Sequence, residues 1–409
     1  MSAMDRSPMA AVALAALAAA GCQNPAEQPA GKAAAAADPA PAEVIYGPWL
    51  LEPGVDRITV AWTTKEESAG LVAFGDESLD RTALEPQARR EHRVTLTGLQ
   101  PGQRYRYRLA GTPDEGSFWT APGASDEAGK QVPFRVLIYG DNRTNEAPHA
   151  EVVRAAQGEN ARLALHTGDM VVDAKRPDLW QRWFAVEHYL LADTPLIATE
   201  GNHEVTDHGV AYTAHFAPAA GLPPYRSLDY GPLHLIVLDS FEPAVTGAQP
   251  RDGNISDAQK AWLQQDLAAV PKGRHVWVLV HQGPFSHPLV GGHGGSSNVK
   301  RALAPFKDRI EAIFAGHDHY YERGELEGFR YFVLGGGGAP LYEPNPKAEG
   351  VKVAIKSLSY AVIDVCGCHV DGTIKDAQGK TIDTFQLATC PQACPAAPQR
   401  AASAAGAPR

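Results

Sequence analysis

The sequence has little positive charge for its length of 409 residues. Its formal net charge is −10, whereas a protein that binds the phosphate backbone of a nucleic acid presents a basic face. Nucleic acid is therefore excluded as a structural partner. A small phosphorylated substrate is not excluded, because a bound metal ion can reverse the local charge. The hydrophobic content of 44% and the charged content of 21% are ordinary for a globular protein.

A hydrophobic segment long enough to cross a bilayer is missing from the amino terminus. The apolar run over residues 10–20 is too short for a stable membrane-spanning helix, and Gly21 and Cys22 follow directly. This pattern predicts a signal peptide over residues 1–21. Ala19–Cys22 resembles a bacterial lipoprotein cleavage box, which predicts a lipid anchor at Cys22 and a periplasmic or outer-membrane location. The box has Ala rather than Leu three positions before the cysteine, so plain cleavage and release is the alternative.

Both ends of the chain have few residues that a protein core would bury. Residues 22–42 are almost all Ala, Pro, Gln, Glu and Gly, which predicts a flexible tether. The Ala- and Pro-rich end predicts a disordered tail over residues 395–409.

Only five cysteines are present. Four remain once Cys22 is set aside, namely Cys366, Cys368, Cys390 and Cys394, and an even number in an exported chain favours disulfides. Their pairing cannot be read from the sequence. A zinc knuckle is the alternative, but Cys-Gly-Cys and Cys-Pro-Gln-Ala-Cys are poor spacings for one.

Residues 43–123 carry strand signals with no helical periodicity between them. The predicted strands are Arg57–Thr64, Gly70–Phe74, His92–Leu99 and Arg104–Leu109. Trp62 lies in an early strand, and Tyr105 follows a Pro-Gly turn, as in a tyrosine corner. The region resembles a fibronectin type III sandwich, in which both aromatic side chains are expected to pack in the core.

Over residues 132–390 strands alternate with helices, which predicts an α/β domain. The predicted helices are Ala147–Gln157, Pro177–Leu191 and Asp257–Val270. The last follows Ser256, with Gln259 in capping-box spacing. Two strands joined by Gly231-Pro232 predict a hairpin, so the sheets are expected to be mixed rather than wholly parallel.

Five apolar strands of this domain end in residues of metal-binding types. The residues at these ends are Asp141, Asp169, Asn202 with His203, His281, and the pair His317 and His319. In sheets with helical connections, sites gather at the carboxyl ends of the strands. The sequence therefore predicts that two carboxylates, one carboxamide and four histidines converge on one pocket.

Taken in chain order, these strand ends resemble the five signature blocks of the calcineurin-like metallophosphoesterases. The blocks are Gly140-Asp141, Gly168-Asp169, Gly201-Asn-His-Glu204, Val280-His281 and Gly316-His-Asp-His319. The purple acid phosphatase branch is the most similar, because the third and fifth blocks match its motifs and a fibronectin-like domain precedes them. The resemblance implies an αββα catalytic domain, in which helices flank two mixed sheets.

The same resemblance implies that this chain, exported according to its amino terminus, is a phosphatase that hydrolyses small phosphomonoesters by attack of a metal-activated hydroxide. A phosphodiesterase or nucleotidase of the same superfamily is the alternative. A surface binding protein without turnover, in which the sandwich domain performs the recognition, is a further one. Neither the natural substrate nor the oligomeric state follows from the sequence.

Two divalent metal ions, Fe, Mn or Zn, are implied by the resemblance. Asp141, Asp169 and His319 would hold the first ion, and Asp169, Asn202, His281 and His317 the second. With only two carboxylates against two divalent cations, a net charge of about +2 remains to attract a phosphate.

Three histidines are candidates for proton transfer or phosphate binding. His203 follows a predicted ligand and precedes Glu204, whose carboxylate is expected to keep the imidazole protonated, so that His203 acts as general acid; a purely orienting role is the alternative. His287 and His293 lie in a glycine-rich loop, where either binds phosphate, protonates the leaving group, or is simply solvated.

Two positions depart from the purple acid phosphatase pattern. Val172 stands where that branch has a metal-bound tyrosine, which favours a pair of divalent ions over a ferric ion. Arg143 stands two residues after Asp141, where its guanidinium either forks onto a phosphate oxygen or pairs with a nearby carboxylate. Elsewhere, His166 is expected to be buried and hydrogen-bonded behind the ligands, and Asp318, Glu322 and Arg323 to brace the last loop.

Overall fold

The computed structural model of the protein describes residues 42–113, 115–123, 132–143, 145–217, 223–242 and 252–390. The predicted signal peptide, Cys22 with the tether up to residue 41, and the tail lie outside these described residues. No helix within the described ranges is long and apolar enough to cross a membrane.

The first part of the described chain is an antiparallel β-structure. Its strands are β1 (Val44–Leu51), β2 (Arg57–Gly75), β3 (Arg81–Thr97), β4 (Arg104–Leu109) and β5 (Glu115–Trp119). They are ordered β1-β2-β4-β5, with β3 also paired to β2. The two strands predicted over residues 57–74 are one strand, since β2 continues through a register shift instead of turning.

Two aromatic side chains occupy the core positions predicted for them. Trp62 is buried and stacks on His92, with ring centroids 4.5 Å apart. The backbone N–H of Gln100 donates to the hydroxyl of Tyr105 at 3.0 Å, which is the bond of a tyrosine corner. The fibronectin-like character of this region is therefore confirmed.

The second part contains two mixed sheets and five α-helices. The helices are α1 (Glu146–Gln157), α2 (Pro177–Leu191), α3 (Val210–Phe216), α4 (Asp257–Ala269) and α5 (Ser297–Leu303). The strands are β6 (Phe134–Tyr139), β7 (Leu163–His166), β8 (Leu196–Ala198), β9 (Arg226–Tyr230), β10 (Leu233–Val237), β11 (His275–Leu279), β12 (Pro288–Val290), β13 (Ala312–Ala315), β14 (Tyr321–Leu326), β15 (Phe329–Leu334), β16 (Glu343–Pro344), β17 (Val351–Ile355), β18 (Ser359–Cys366), β19 (His369–Asp376) and β20 (Thr381–Ala388).

The two sheets pack face to face between layers of helices. One sheet has the order β20-β19-β18-β6-β7-β8 and the other β17-β14-β15-β13-β11-β10-β9. Both faces of the first sheet are apolar, as the side chains of β6 show. Val136 and Ile138 point to one face and pack between the two sheets, whereas Leu137 and Tyr139 point to the other and pack against α1 and α2. The outer face of the second sheet is covered by α4 and α5. This is the predicted αββα arrangement.

The strands that precede the predicted ligands run parallel to their neighbours. β6 pairs with β7 and β7 with β8 in parallel, and β11 pairs in parallel with both β10 and β13. The hairpin of β9 and β10 is antiparallel, as predicted. Parallel pairing brings the carboxyl ends of β6, β7 and β8 to one edge of their sheet and those of β11 and β13 to one edge of the other.

The capping of α4 is only half of what the sequence predicts. The hydroxyl of Ser256 accepts the backbone N–H of Gln259 at 3.1 Å. The Gln259 side chain is buried and bonds the backbone of Asp239 instead of returning to Ser256. The reciprocal bond of a capping box is therefore missing, because the buried carboxamide finds its partners in the strand end behind it.

One disulfide lies within the described residues. Cys368 and Cys390 are bonded, with their Cα atoms 5.8 Å apart. The prediction of disulfides is confirmed for this pair, and the bond ties the β18–β19 turn to the end of β20.

Candidate functional site

The turns after β6 and β7 carry two aspartates in an unusual backbone conformation. Asp141 and Asp169 have φ of 58° and 56°, in the left-handed region that Asp enters more readily than most residues. The two turns are hydrogen-bonded to each other: the N–H of Asp141 donates to Gly168 O at 2.9 Å, and the N–H of Asn142 donates to Asp169 O at 3.1 Å. Such strain persists only where the surroundings fix it.

Glycines beside these turns allow the close approach of the strand ends. A Cβ on Gly201 would lie 2.3 Å from Oδ1 of Asp169, and one on Gly316 would lie 2.2 Å from Oδ2 of Asp141. Side chains at these two positions would therefore displace the carboxylates.

Asp141, Asp169 and His319 form the first group of potential ligands. One donor atom from each lies within 4.8 Å of the others, and all three residues are buried. Nδ1 of His319 donates to the carbonyl of Pro340 at 2.8 Å. Nε2 is therefore the atom with a lone pair, and it lies 3.6 Å from Oδ1 of Asp141.

Asn202, His281 and His317 form a second group with the same Asp169. Nδ1 of His281 donates to Thr167 O at 2.6 Å, so Nε2 carries the lone pair. That Nε2 lies 3.4 Å from Oδ1 of Asp169, 3.2 Å from Oδ1 of Asn202 and 3.2 Å from Nδ1 of His317. The structure thus brings all six predicted ligands together, with Asp169 common to both groups.

The electrostatics of these groups suit a cation. Burial lowers the pKa of His281, of His317 and of His319, the last to about 4, which favours the neutral imidazole that metal ligation requires. Burial and the Asp169 charge raise the pKa of Asp141 well above its usual value. Burial opposes ionisation of Asp169, but His281, His203 and Arg143 outweigh it and lower its pKa.

His203 lies at the site, but the prediction that it pairs with Glu204 is wrong. Nδ1 of His203 donates to the carbonyl of Val172 at 2.7 Å, and Nε2 lies 3.8 Å from Oδ2 of Asp169. Glu204 begins a 3-10 helix that turns its carboxylate into the interior. There it accepts the backbone N–H groups of residues 169, 170, 171 and 201 at 2.8 to 3.3 Å. Glu204 braces the ligand loops instead of pairing with His203.

The guanidinium of Arg143 contacts two members of the first group. Its Nε is 3.1 Å from Oδ2 of Asp169, and its Nη2 is 3.3 Å from Nε2 of His319. The ion pair that was one of the two alternatives for Arg143 is therefore present.

Tyr342 is a site residue that sequence reasoning missed. Its ring stacks on that of His319 with centroids 4.1 Å apart, and its hydroxyl is hydrogen-bonded to Arg143. Tyr342 lies in the irregular segment between β15 and β16, where no periodicity or motif marks it. Only its half-buried position against a predicted ligand identifies it.

The two loop histidines have different surroundings. The ring of His293 lies 4.3 Å from that of His317, and its backbone N–H donates to Asp318 at 2.6 Å. His287 instead has Nδ1 bonded to Glu322 at 2.8 Å and lies beside Tyr331. His293 therefore faces the predicted ligands, whereas His287 contacts the bracing residues behind the loop. The bracing expected of Asp318 and Glu322 is present, whereas Arg323 pairs with Asp383 of β20 at 2.8 Å.

Comparison with known proteins assigns this domain. The calcineurin-like phosphoesterase family matches residues 134–321, from the first residue of β6 to the first residue of β14. Purple acid phosphatase 21 of Arabidopsis thaliana is 25% identical over 299 residues, which is 66% of this chain and 64% of the relative, less than two thirds of its length. Acid phosphatase type 7 of Mus musculus is 24% identical over 403 residues, or 83% and 89% of the two chains.

The fold has a solved counterpart. A purple acid phosphatase from yellow lupin (Lupinus luteus) seeds superposes with a TM-score of 0.68 at 18% identity, covering 85% of this chain and 75% of that one. At this identity the likeness concerns the fold alone. The chain therefore carries a calcineurin-like phosphoesterase domain and has purple acid phosphatases among its homologues.

Proposed function

We propose that the protein is a hydrolase of phosphoric esters, with phosphomonoesters as its preferred substrates and a pair of divalent cations as its cofactor. The observation that carries the proposal is the sharing of Asp169 between two groups of buried donor atoms, with Asp141 and His319 on one side and His281 on the other. A shared carboxylate between two ligand sets is what a two-metal phosphoesterase needs.

The residues present fit such a cofactor. Two carboxylates, one carboxamide and three neutral imidazoles converge without a thiol, a donor set that suits Fe, Mn or Zn. Nε2 of His317 is buried without a hydrogen-bond partner among the described residues, and such an atom needs a partner from outside the chain, such as a water molecule or an ion. When bound, the cations would acidify water and offset the charge of the phosphate.

The chain's own side chains would orient the substrate and supply the proton. Arg143, held between Asp169 and His319 and bonded to Tyr342, presents guanidinium N–H groups to a phosphoryl oxygen. The leaving alkoxide needs a proton, for which His203 and His293 are the candidates. Because Nδ1 of His203 is committed to Val172, Nε2 is the atom that would hold the transferable proton.

The positions of the two loop histidines lead to a matched prediction. His293→Ala should lower kcat/KM for p-nitrophenyl phosphate by about 100-fold, because it removes an imidazole beside His317. His287→Ala should change kcat/KM by less than about threefold but lower the Tm, because it removes the ring bonded to the buried Glu322. Steady-state kinetics and thermal melts of both variants check this. A larger kinetic loss in His287→Ala than in His293→Ala would contradict the assignment.

Metal removal and substrate comparison test the proposal as a whole. We expect the purified protein to lose hydrolysis of p-nitrophenyl phosphate after chelation and to regain it with Mn²⁺, Fe²⁺ or Zn²⁺. Bis-p-nitrophenyl phosphate and adenosine 5′-monophosphate, each tested with every metal, compare the monoesterase with the diesterase and the nucleotidase. Faster hydrolysis of the diester would favour the diesterase. Binding of phosphate esters without release of phosphate by metal-loaded protein would indicate a binding protein.

Export is proposed on separate grounds. The bond between Cys368 and Cys390 supports an oxidising compartment, since disulfides are rare in the cytosol. The amino-terminal pattern adds a signal peptide and lipidation of Cys22. Fractionation of cells that express the unaltered chain or Cys22→Ser checks the anchor: the unaltered chain should stay with the membranes and the variant should be soluble.

A further inference from the structure

We propose that His166 is a positioning residue for this site: its hydrogen bonds to Gly168 and Asn142 fix the two turns that direct the carboxylates of Asp141 and Asp169 toward a common cation. The inference rests on the proposed function, because it concerns the same pair of carboxylates. His166 is the last residue of β7 and is 0% exposed, so it acts on the site from behind.

Hydrogen bonds on both sides fix the protonation of the His166 ring. The backbone N–H of Gly168 donates to Nδ1 at 3.1 Å, so Nδ1 carries no proton. Nε2 donates to Oδ1 of Asn142. Nδ2 of Asn142 donates to Gly337 O at 3.1 Å, which turns the amide oxygen toward His166. A neutral imidazole in a single tautomer is the arrangement in which every donor meets an acceptor.

The two bonds of His166 reach the residues next to the two aspartates. Gly168 precedes Asp169, and Asn142 follows Asp141. Both aspartates are in the left-handed region, with φ of 56° and 58°, a conformation that persists only when the surroundings over-determine it. The backbone bonds between the turns supply part of that restraint, and the imidazole joins the same two turns through a rigid ring.

Helix α2 holds this network from the other side. Nε1 of Trp183 donates to the same Asn142 oxygen at 3.4 Å, and its ring lies edge-on to His166 with centroids 5.9 Å apart. Trp183 also packs on Phe184, which in turn packs on Trp49 of β1. The His166–Asn142 pair therefore cannot shift without disturbing a packed aromatic cluster, and this is the rigidity that a positioning role needs.

Three substitutions separate the two bonds. His166→Gln keeps a donor near the position of Nε2, His166→Asn keeps an acceptor near the position of Nδ1, and His166→Leu keeps neither. His215→Leu is the matched control, since His215 is a buried histidine that packs on Trp180 of α2 and contacts none of the six predicted ligands. Mn²⁺ binding to the full, chelator-treated chain is measured by calorimetry, together with the Tm and with kcat and KM for p-nitrophenyl phosphate.

We expect His166→Leu to bind Mn²⁺ about 10- to 100-fold more weakly than the unaltered protein, with His166→Gln and His166→Asn in between. His215→Leu should bind Mn²⁺ with the affinity of the unaltered protein, even if its Tm falls as far as that of His166→Leu. If His166→Leu does not fold, the Gln and Asn variants decide.

Affinities of the folded His166 variants within about twofold of the unaltered protein would overturn the inference and leave the proposed function intact. An equal weakening in His215→Leu would overturn it as well, since the effect would then be one of general stability. Failure of the unaltered protein to bind any divalent cation would overturn the proposed function, and this inference with it.

Discussion

Replacement of Asp169 by Asn is expected to lower kcat/KM for p-nitrophenyl phosphate by about 100- to 1,000-fold, with loss of bound metal. The substitution keeps the size of the side chain and removes the charge at the point that both ligand groups share. It also leaves Arg143, now 3.1 Å from the carboxylate, without its anion in a buried setting. Metal analysis and steady-state kinetics of protein purified without chelator measure both effects.

A largely buried carboxylate in another ion pair, away from the site, serves as the control. Asp383 forms an ion pair with Arg323 at 2.8 Å, and its side chain is 11% exposed. Asp383→Asn is expected to lower the Tm while metal content and kcat/KM stay unchanged. Asp169→Asn protein with full metal content and normal turnover would show that the shared carboxylate is not the centre of the chemistry.

Replacement of Glu204 by Ala is expected to destabilise the protein by about 3–5 kcal/mol and to reduce activity together with metal content. Its carboxylate is fully buried and accepts the N–H groups of Asp169, Met170, Val171 and Gly201. Removal leaves these donors unsatisfied in the interior. One of them belongs to Asp169, so the loss of stability should be accompanied by loss of the cation.

Glu204→Gln keeps the volume of the side chain but removes its charge and one of its two acceptor oxygens, so it distinguishes these effects from the loss of volume in Glu204→Ala. A carboxamide has one acceptor oxygen, and its NH₂ would face N–H groups that also donate, so we expect most of the Ala effect to remain. Glu311→Gln is the matched control, since Glu311 accepts bonds from His275 at 3.0 Å and Trp277 at 2.8 Å at the amino-terminal end of β13, opposite the end that leads to His317. Denaturant unfolding and metal analysis compare the two. Wild-type metal content in Glu204→Ala would contradict the bracing role.

The predicted organisation of the chain and its structure agree where a local pattern carries the information. Alternation and apolar runs located the strands, the spacing of Ser256 and Gln259 marked the start of α4, and the Pro-Gly turn before Tyr105 marked the tyrosine corner. These features depend on residues within one or two turns of each other. Sequence patterns therefore recover them without knowledge of the fold.

The partner of His203 could not be predicted in the same way. Adjacency in sequence suggested Glu204, but the 3-10 helix directs that carboxylate to backbone groups up to 35 residues away. The carbonyl that His203 meets belongs to Val172, 31 residues upstream. A buried carboxylate satisfies as many N–H groups as it can reach, and which groups those are depends on the packing of two loops.

The sequence by itself determined which residue types stand at the five strand ends, and that the strands alternate with helices in an α/β domain behind a β-sandwich. Only the tertiary structure decided that His293 and not His287 faces the predicted ligands, that Tyr342 stacks on His319, and that Cys368 pairs with Cys390. The physical reason is the distance along the chain over which each kind of information acts. Periodicity reports local backbone geometry, whereas contacts such as that between Asp141 and His317, 176 residues apart, form only when two sheets pack and strained turns set the direction of each side chain.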